Sequence, residues 1–349
     1  MAATNHATNP QHAQRPLFLG IDIGGTNIKL GIVDDQGRVV GKTQIPTEEE
    51  NGPQDAVQRT RQATDELLRS LGMGPGDLAA VGLASPGTQD LKAGTLLHPH
   101  NLPHWYHFPI RQAVADAFGG LAVAYANDAN AAAYGEFWVG SGTDFHSIVL
   151  LTLGTGVGGG IIIGDLNVEG EHSHGSECGH IIVDNSPQAR MCGCGQPGHL
   201  EAYCSATALI KRAQEELNRG TVTSIRSRIA AGEELSGLLI AQEAERADPL
   251  ASALVEELAT WLGLGIVSLI HCVDPGAVIL GGAMNFGGHS APLGRRFLDR
   301  VRSVVKARAF PTLAEQTVID FATLGSDAGF IGAAGIARLA HHQPQRSAG

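Results

Sequence analysis

The chain reads as an α/β protein built from two related halves. Short apolar runs with strand patterning alternate along it with longer amphipathic segments. Two strand pairs turn on glycine loops, Gly24-Gly25-Thr26-Asn27 and Gly154-Thr155-Gly156-Val157-Gly158-Gly159-Gly160. One shift of 131 positions aligns Gly25 with Gly156, Ile32 with Ile163 and Asp34 with Asp165, so the two strand–loop–strand units match as units.

Residues 1–15 are polar and predict a disordered tail. Leu17–Ile23 is a buried strand, and Ile28, Leu30 and Ile32 share one face of the returning strand. Asp34-Asp35-Gln36-Gly37 turns into a third strand. Val57, Thr64, Leu67, Leu68 and Leu71 mark a helix over 54–71, broken by Gly72-Met73-Gly74-Pro75-Gly76. A strand over 78–84 closes on Ser85-Pro86-Gly87, and a loop runs through Asn101 to Trp105. A helix over 110–118 and a strand over 121–125 lead to Asn127-Asp128. The second cycle has an alanine-rich helix over 129–139, strands over 147–153 and 161–163, and helices over 206–218, 236–247 and 249–272. A strand over 277–280 ends on Gly281-Gly282-Ala283; then come a helix over 293–306, a strand over 318–324 and a closing helix from Asp327. The expected domains are 16–126, completed by a C-terminal helix at about 327–340, and 127–326.

The net charge of −11 argues against a broad nucleic-acid or anionic-membrane surface. The five cysteines are odd in number, and three sit near two histidines, which suits a reducing compartment better than a disulfide framework. The N-terminus has no apolar signal segment, and the longest apolar stretch, near Trp261–Val273, is interrupted by Ser268 and His271 and falls short of a membrane span.

Four stretches carry chemistry. Asp22 ends a strand beside Gly24, Gly25, Thr26, Asn27 and Lys29, where backbone N–H groups can converge on a phosphate and a carboxylate can hold Mg²⁺. A tight hairpin would use the same residues. The second loop (Gly154, Thr155, Gly156, Gly158) has no counterpart of Asp22, so only phosphate contacts are expected there. Asn127-Asp128 lies where a strand feeds a helix; Asp128 can accept a hydroxyl proton there, or the pair can be an N-cap. His180, Cys192, Cys194 and His199 can close a tetrahedral Zn²⁺ site bracketed by Glu177 and Glu201, or form a glycine-rich turn with two buried thiols. Gly281-Gly282 lets a flat ring approach the backbone, and Trp105 can cover a sugar or cap its loop.

Together these stretches resemble the ROK family of sugar kinases and repressors, from about Leu17 to Ala340. Asp22–Lys29 and Leu153–Gly160 resemble its two phosphate motifs, and Asn127–Ala132 its catalytic segment. Glu177-x-Gly179-His180 and Cys192-x-Cys194-Gly195-x-x-Gly198-x-Leu200-Glu201 resemble its sugar and zinc signature, while Pro86-Gly87 and Asn101-Leu102 with Trp105 match its sugar-pocket loops. The resemblance implies an actin-like, hexokinase-like (ribonuclease H-like) fold of two domains with duplicated βββαβαβα halves. It implies ATP-dependent phosphorylation of a hexose 6-hydroxyl, glucose first, with Asp128 as general base. Gly87, Asn101, Asn127, Glu177, His180 and Glu201 would hold sugar, and Gly281-Gly282 adenine. ATP, Mg²⁺ and structural Zn²⁺ are the implied cofactors, in a cytoplasmic homodimer. His199 stands where the family usually has a third cysteine, with Cys204 as the substitute; Ser173-His174-Gly175-Ser176 departs from the glucokinase pattern. N-acetylhexosamine kinase and fructokinase remain alternatives. A repressor is the remote one, since only about 20 residues precede Asp22, too few for a DNA-binding domain.

Overall fold

Strands β1 (Leu17–Ile23), β2 (Asn27–Asp34) and β3 (Val39–Pro46) form an antiparallel meander. The structure, a computed structural model, describes residues 7–99 and 101–343. Helix α1 (Pro53–Ser70) starts on a first-turn proline. It is followed by β4 (Leu78–Ser85) and by a hairpin of β5 (Thr88–Asp90) and β6 (Thr95–His98). Then come α2 (Ile110–Ala117), β7 (Val123–Asn127) and α3 (Asp128–Val139). The second cycle opens with β8 (Ser147–Leu153), β9 (Val157–Ile163) and β10 (Leu166–Asn167). Helices α4 (Glu201–Cys204), α5 (Ala206–Asn218), α6 (Ile225–Ala230), α7 (Gly237–Glu245) and α8 (Pro249–Val273) follow. The chain ends with β11 (Ala277–Gly281), α9 (Pro292–Arg308), α10 (Pro311–Gln316), β12 (Val318–Phe321) and α11 (Ala328–His342).

The two large sheets have one plan. The first has the order β3-β2-β1-β4-β7, the second β10-β9-β8-β11-β12. In each, the first strand of the cycle pairs in parallel with the strand after the crossover: β1 with β4, β8 with β11. The repeat inferred from two glycine loops therefore extends to strand order.

The chain divides into two compact units. One runs to Asp144 and includes Gly160–Ser176 and everything from Thr323; the other is Phe145–Gly159 with Glu177–Ala322. This corrects the expected cut at residue 126, because α3 belongs to the first unit. Small residues make the reason plain. A Cβ on Gly332 of α11 would lie 1.6 Å from the Ala131 carbonyl oxygen, so α3 and α11 touch backbone to backbone. Alternation in β1 sorts the first core. Leu17, Leu19, Ile21 and Ile23 pack with residues of α1 and α2, while Phe18 points the other way, onto Phe330 and Ala334 of α11.

Glu136 of α3 fastens this unit internally. It is fully buried and accepts from the Thr323 and Leu324 N–H groups at 2.9 and 2.7 Å and from the Ser141 N–H at 2.9 Å. The Ser141 and Thr323 hydroxyls add bonds of 2.8 and 3.2 Å.

In the second unit α8 is 25 residues long and, by length and composition, apolar enough to cross a membrane. The sequence expectation counted only its second half. Leu254, Leu258, Leu262, Ile266 and Ile270 are buried, as on the inner face of a core helix.

At the N-terminus, residues 1–6 of the expected disordered tail lie outside the described residues. Residues 7–15 are ordered instead: Ala7 bridges Val39, and the Gln14 N–H donates to Asp34 at 3.0 Å. The stretch from His180 to Cys192 carries isolated bridges, Ile182 to His199 and Met191 to Pro197.

Candidate active site

In the first unit the β1–β2 turn is closed by the Gly24 N–H donating to the Asn27 carbonyl at 2.9 Å. Thr47 braces it, its hydroxyl donating to the Gly24 carbonyl at 2.6 Å and its N–H to the Thr26 carbonyl at 2.9 Å. Asp22 pairs across the strands with Lys29, whose ammonium donates to the Ser326 carbonyl at 2.9 Å. Burial raises the Asp22 carboxyl to about 6, with Lys29 pulling the other way. The carboxylate abuts α11: a Cβ on Gly329 would lie 2.3 Å from Asp22 Oδ2.

Asp128 is the first residue of α3. The Asn127 side chain caps the helix, accepting from the Ala129 N–H at 2.9 Å, and Asp128 Oδ1 accepts from the same N–H at 2.8 Å. The cap reading of this pair therefore holds. It leaves the catalytic reading open, because a cap fixes a carboxylate at a strand end. Beneath lies a polar cluster. The Tyr125 hydroxyl is 2.7 Å from Ser85 Oγ, and Gln89 donates to Ser85 Oγ at 3.1 Å. Burial pushes the Tyr125 phenol up, and the charge of Asp128 adds to the rise. Asn101 lies against Gly25, a Cβ on which would be 3.0 Å from Asn101 Cβ, and Gly87 packs on Pro99. Trp105 is fully buried and its indole N–H donates to the Glu49 carbonyl at 3.2 Å, which caps its loop.

In the second unit the glycine loop is closed by the Gly154 N–H donating to the Gly156 carbonyl at 3.0 Å. The Ala206 N–H donates to the Gly154 carbonyl and the Thr207 hydroxyl to the Thr155 carbonyl, both at 2.8 Å. The Val157 N–H donates to Glu201 Oε2 at 3.0 Å. Gly282 has φ +88°, and a Cβ there would lie 2.2 Å from the Leu153 carbonyl oxygen. The structure therefore brings Gly281-Gly282 beside the loop that holds Gly154, Thr155, Gly156 and Gly158. Glu177 precedes the short turn Cys178–His180 and is exposed.

His180, Cys192, Cys194 and His199 converge, with one ligand atom of each within 4.8 Å of the others. The two Nδ1 atoms are 3.1 Å apart, Cys194 Sγ is 3.2 Å from His199 Nδ1, and Cys192 Sγ is 3.9 Å from His180 Nδ1. Tetrahedral bonds of about 2.0–2.3 Å place ligand atoms about 3.3–3.8 Å apart, so the set fits zinc. The chemistry fits as well. Burial, with the Glu201 carboxylate nearby, pushes the Cys192 thiol up to about 12, and a cation is what would hold it as thiolate. Burial and His180 lower His199, favouring the neutral imidazole a metal takes. Cys204 is not part of the group: its thiol is buried on the Leu258 carbonyl at 3.6 Å. His180 turns Nδ1 into the cluster, which leaves Nε2 for other work.

The sequence missed the bond between Glu201 and Val157, since 44 positions separate them and no spacing rule reaches that far. It also missed Glu136 and the Tyr125–Ser85–Gln89 cluster, whose residues carry no motif.

The ROK family model matches residues 18–340. A glucokinase of Halalkalibacterium halodurans is 33% identical over 319 residues, 90% of this chain and 93% of that one. The structure of a ROK hexokinase from Thermus thermophilus superposes with TM-score 0.77 at 31% identity, covering 93% of this chain and 98% of that one. A ROK family glucokinase from Streptomyces griseus, solved with glucose and AMPPNP, gives TM-score 0.74 at 34% identity, covering 93% and 99%. The fold is the actin-like sugar-kinase fold, and the chain belongs to the ROK family.

Proposed function

We propose that this protein is an ATP-dependent glucokinase that transfers the γ-phosphoryl group of MgATP to the 6-hydroxyl of glucose. The observation that carries the reading is the second unit's grouping of Glu201 and His180 on a Cys/His cluster, beside a glycine loop. The likeness to a glucokinase solved with glucose and AMPPNP supports the sugar and the donor.

In this reading Asp128 takes the 6-hydroxyl proton as O6 attacks the γ-phosphorus, and the bond to the β,γ-bridging oxygen breaks to release ADP. Asn127, Asn101, Gly87, Glu177, His180 and Glu201 hold the sugar. Asp22 would hold Mg²⁺, directly or through water, while the amides of both loops and Gly281-Gly282 hold the nucleotide. His180, Cys192, Cys194 and His199 would hold zinc, a structural cation that would fasten the segment leading into Glu201 at the start of α4 and would take no part in the transfer. The reading assigns the enzyme to the cytoplasm, where MgATP and free sugar meet, and the homodimer is carried by the family resemblance alone.

Glucose over N-acetyl sugars rests on Glu177, His180 and Glu201, which suit small hydroxyls. The Ser173–Ser176 segment is held by its own hydroxyls: Ser173 accepts from the Leu91 N–H at 3.0 Å and Ser176 donates to the Val168 carbonyl at 2.8 Å. A hydroxyl partner left unpaired costs about 1–3 kcal/mol, roughly one to two decades in kcat/KM. The test is kcat/KM for glucose, N-acetylglucosamine, N-acetylmannosamine and fructose under saturating MgATP. Glucose should lead by about that margin. Another sugar ahead overturns the glucose assignment, and no turnover of any sugar overturns the kinase. Asp128→Asn should lower kcat by about 10²–10⁴ and leave glucose binding largely intact.

A further inference from the structure

Glu201 has two oxygens with two different jobs. Oε2 accepts the Val157 N–H of the glycine loop at 3.0 Å, and Oε1 accepts from the Cys192 thiol at 3.4 Å. The loop is shaped to admit this carboxylate, since a Cβ on Gly156 would lie 2.3 Å from Oε2. The same residue is gripped at its other end too: a Cβ on Gly179 would lie 2.1 Å from the Val157 carbonyl oxygen, and Gly179 sits between Glu177 and His180. Val157 is therefore held at its N–H by Glu201 and at its carbonyl by the segment that carries Glu177 and His180.

The amide inventory sharpens this. In the loop, the Gly154 N–H is spent on the Gly156 carbonyl and the Val157 N–H on Glu201, and the Thr155 and Gly156 N–H groups have no protein acceptor among the described residues. A nucleotide phosphate has those two amides to use. Both lie between the two committed ones, so their direction depends on where Glu201 holds Val157. The long 3.4 Å thiol contact uses one lone pair of Oε1, and the other is left to accept a sugar hydroxyl.

We propose that Glu201 couples the sugar site to the phosphate loop, so that sugar bound at Oε1 immobilises the carboxylate and, through Oε2 and Val157, presets the Thr155 and Gly156 amides for the nucleotide. The inference rests on the kinase reading above. Coupling of this kind is reciprocal, and typical couplings change affinity about 5- to 150-fold. The expected value is at the lower end, because one hydrogen bond carries it.

The experiment uses the metal-loaded protein, with glucose and MgAMPPNP as probes. Calorimetry measures the MgAMPPNP Kd with and without saturating glucose, and hydrogen exchange follows the peptide spanning Gly154–Gly158 with glucose alone. In the parent protein glucose should tighten MgAMPPNP about 5- to 20-fold and slow exchange in that peptide. Gly156→Ala, whose Cβ displaces Oε2 while the carboxylate remains, and Glu201→Gln should bring the Kd ratio towards 1. Thr207→Ala cuts a different tie on the same loop and should keep the ratio. A parent ratio of 1 with unchanged exchange overturns the coupling, as does a ratio that survives Gly156→Ala or is lost equally in Thr207→Ala. Failure of the parent protein to bind glucose at all strikes the glucokinase reading instead, so the two failures are distinct.

Discussion

The two glycine loops occupy equivalent corners of equivalent sheets, yet each meets its carboxylate by a different route. In the first, Asp22 lies on the strand itself, two residues before the turn. No protein hydrogen bond to its carboxylate exists among the described residues, and burial raises it to about 6. In the second, the carboxylate comes from α4, through space, and arrives with two donors already on it. A buried carboxylate short of donors is a site for a cation, whereas a carboxylate carrying donors is a strut. Duplication preserved the backbone turn and left each half to find its own charge. The second loop's own sequence supplies no carboxylate, and the expectation of phosphate contacts alone did not foresee Glu201 reaching it from α4.

The largest effect belongs to Asp22→Asn, which should lower kcat by about 10²–10³ if the carboxylate holds the metal of MgATP. Its stability should move the other way. The folded carboxyl keeps its proton between pH about 4 and 6, where the unfolded one has lost it, so the folded state binds more protons and stability falls as pH rises through that window. Above pH 6 the cost reaches up to about 3 kcal/mol. Asp22→Asn should therefore melt higher than the parent at pH 7 and little differently at pH 4; a lower Tm at pH 7 would refute the burial argument.

Removal of the metal should strike the second loop and spare the first. Elemental analysis should find one zinc per chain. Chelation, or Cys192→Ser, should lower kcat/KM for glucose about 10- to 100-fold and reduce Tm. Zinc-free protein with full activity would dismiss the site. Glu136 offers a third environment, a carboxylate near the end of α3 saturated with donors. Glu136→Gln should cost about 2–4 kcal/mol by urea unfolding, with kcat nearly unchanged below the transition. The smallest effect is expected of Thr155→Ala, at roughly threefold or less in KM for MgATP, since backbone amides carry that contact.

What the sequence disclosed follows from distance along the chain. Gly24–Asn27, Gly154–Gly158 and Asn127-Asp128 were legible because turns and caps are decided within a few residues. The Cys/His set was legible because its four ligands fall within 20 positions. Glu136 was not, because its partners at Thr323 and Leu324 lie 187 and 188 positions away. Trp105 was legible only in part, because an indole beside histidines and asparagine suits a sugar pocket, while its burial depends on Glu49, 56 positions earlier. The unit boundary was misplaced for the same reason: α3 follows β7 directly, but its packing partner is α11.

That last contact has a consequence on the ribosome. The sheet face carrying Phe18, Val33 and Ala80 is covered by Phe330 and its neighbours. A Cβ on Gly20 or Gly82 would lie 1.9 and 1.8 Å from carbonyl oxygens of α11, so the helix rests directly on the sheet backbone. About 240 residues separate β4 from α11. At roughly 5–20 residues per second the nascent chain spends about 10–50 s with that face open. Phe145–Gly159 and Glu177–Ala322 are complete before α11 emerges. The unit that holds β1 therefore cannot close its core until α11 has been made, after every residue of the other unit.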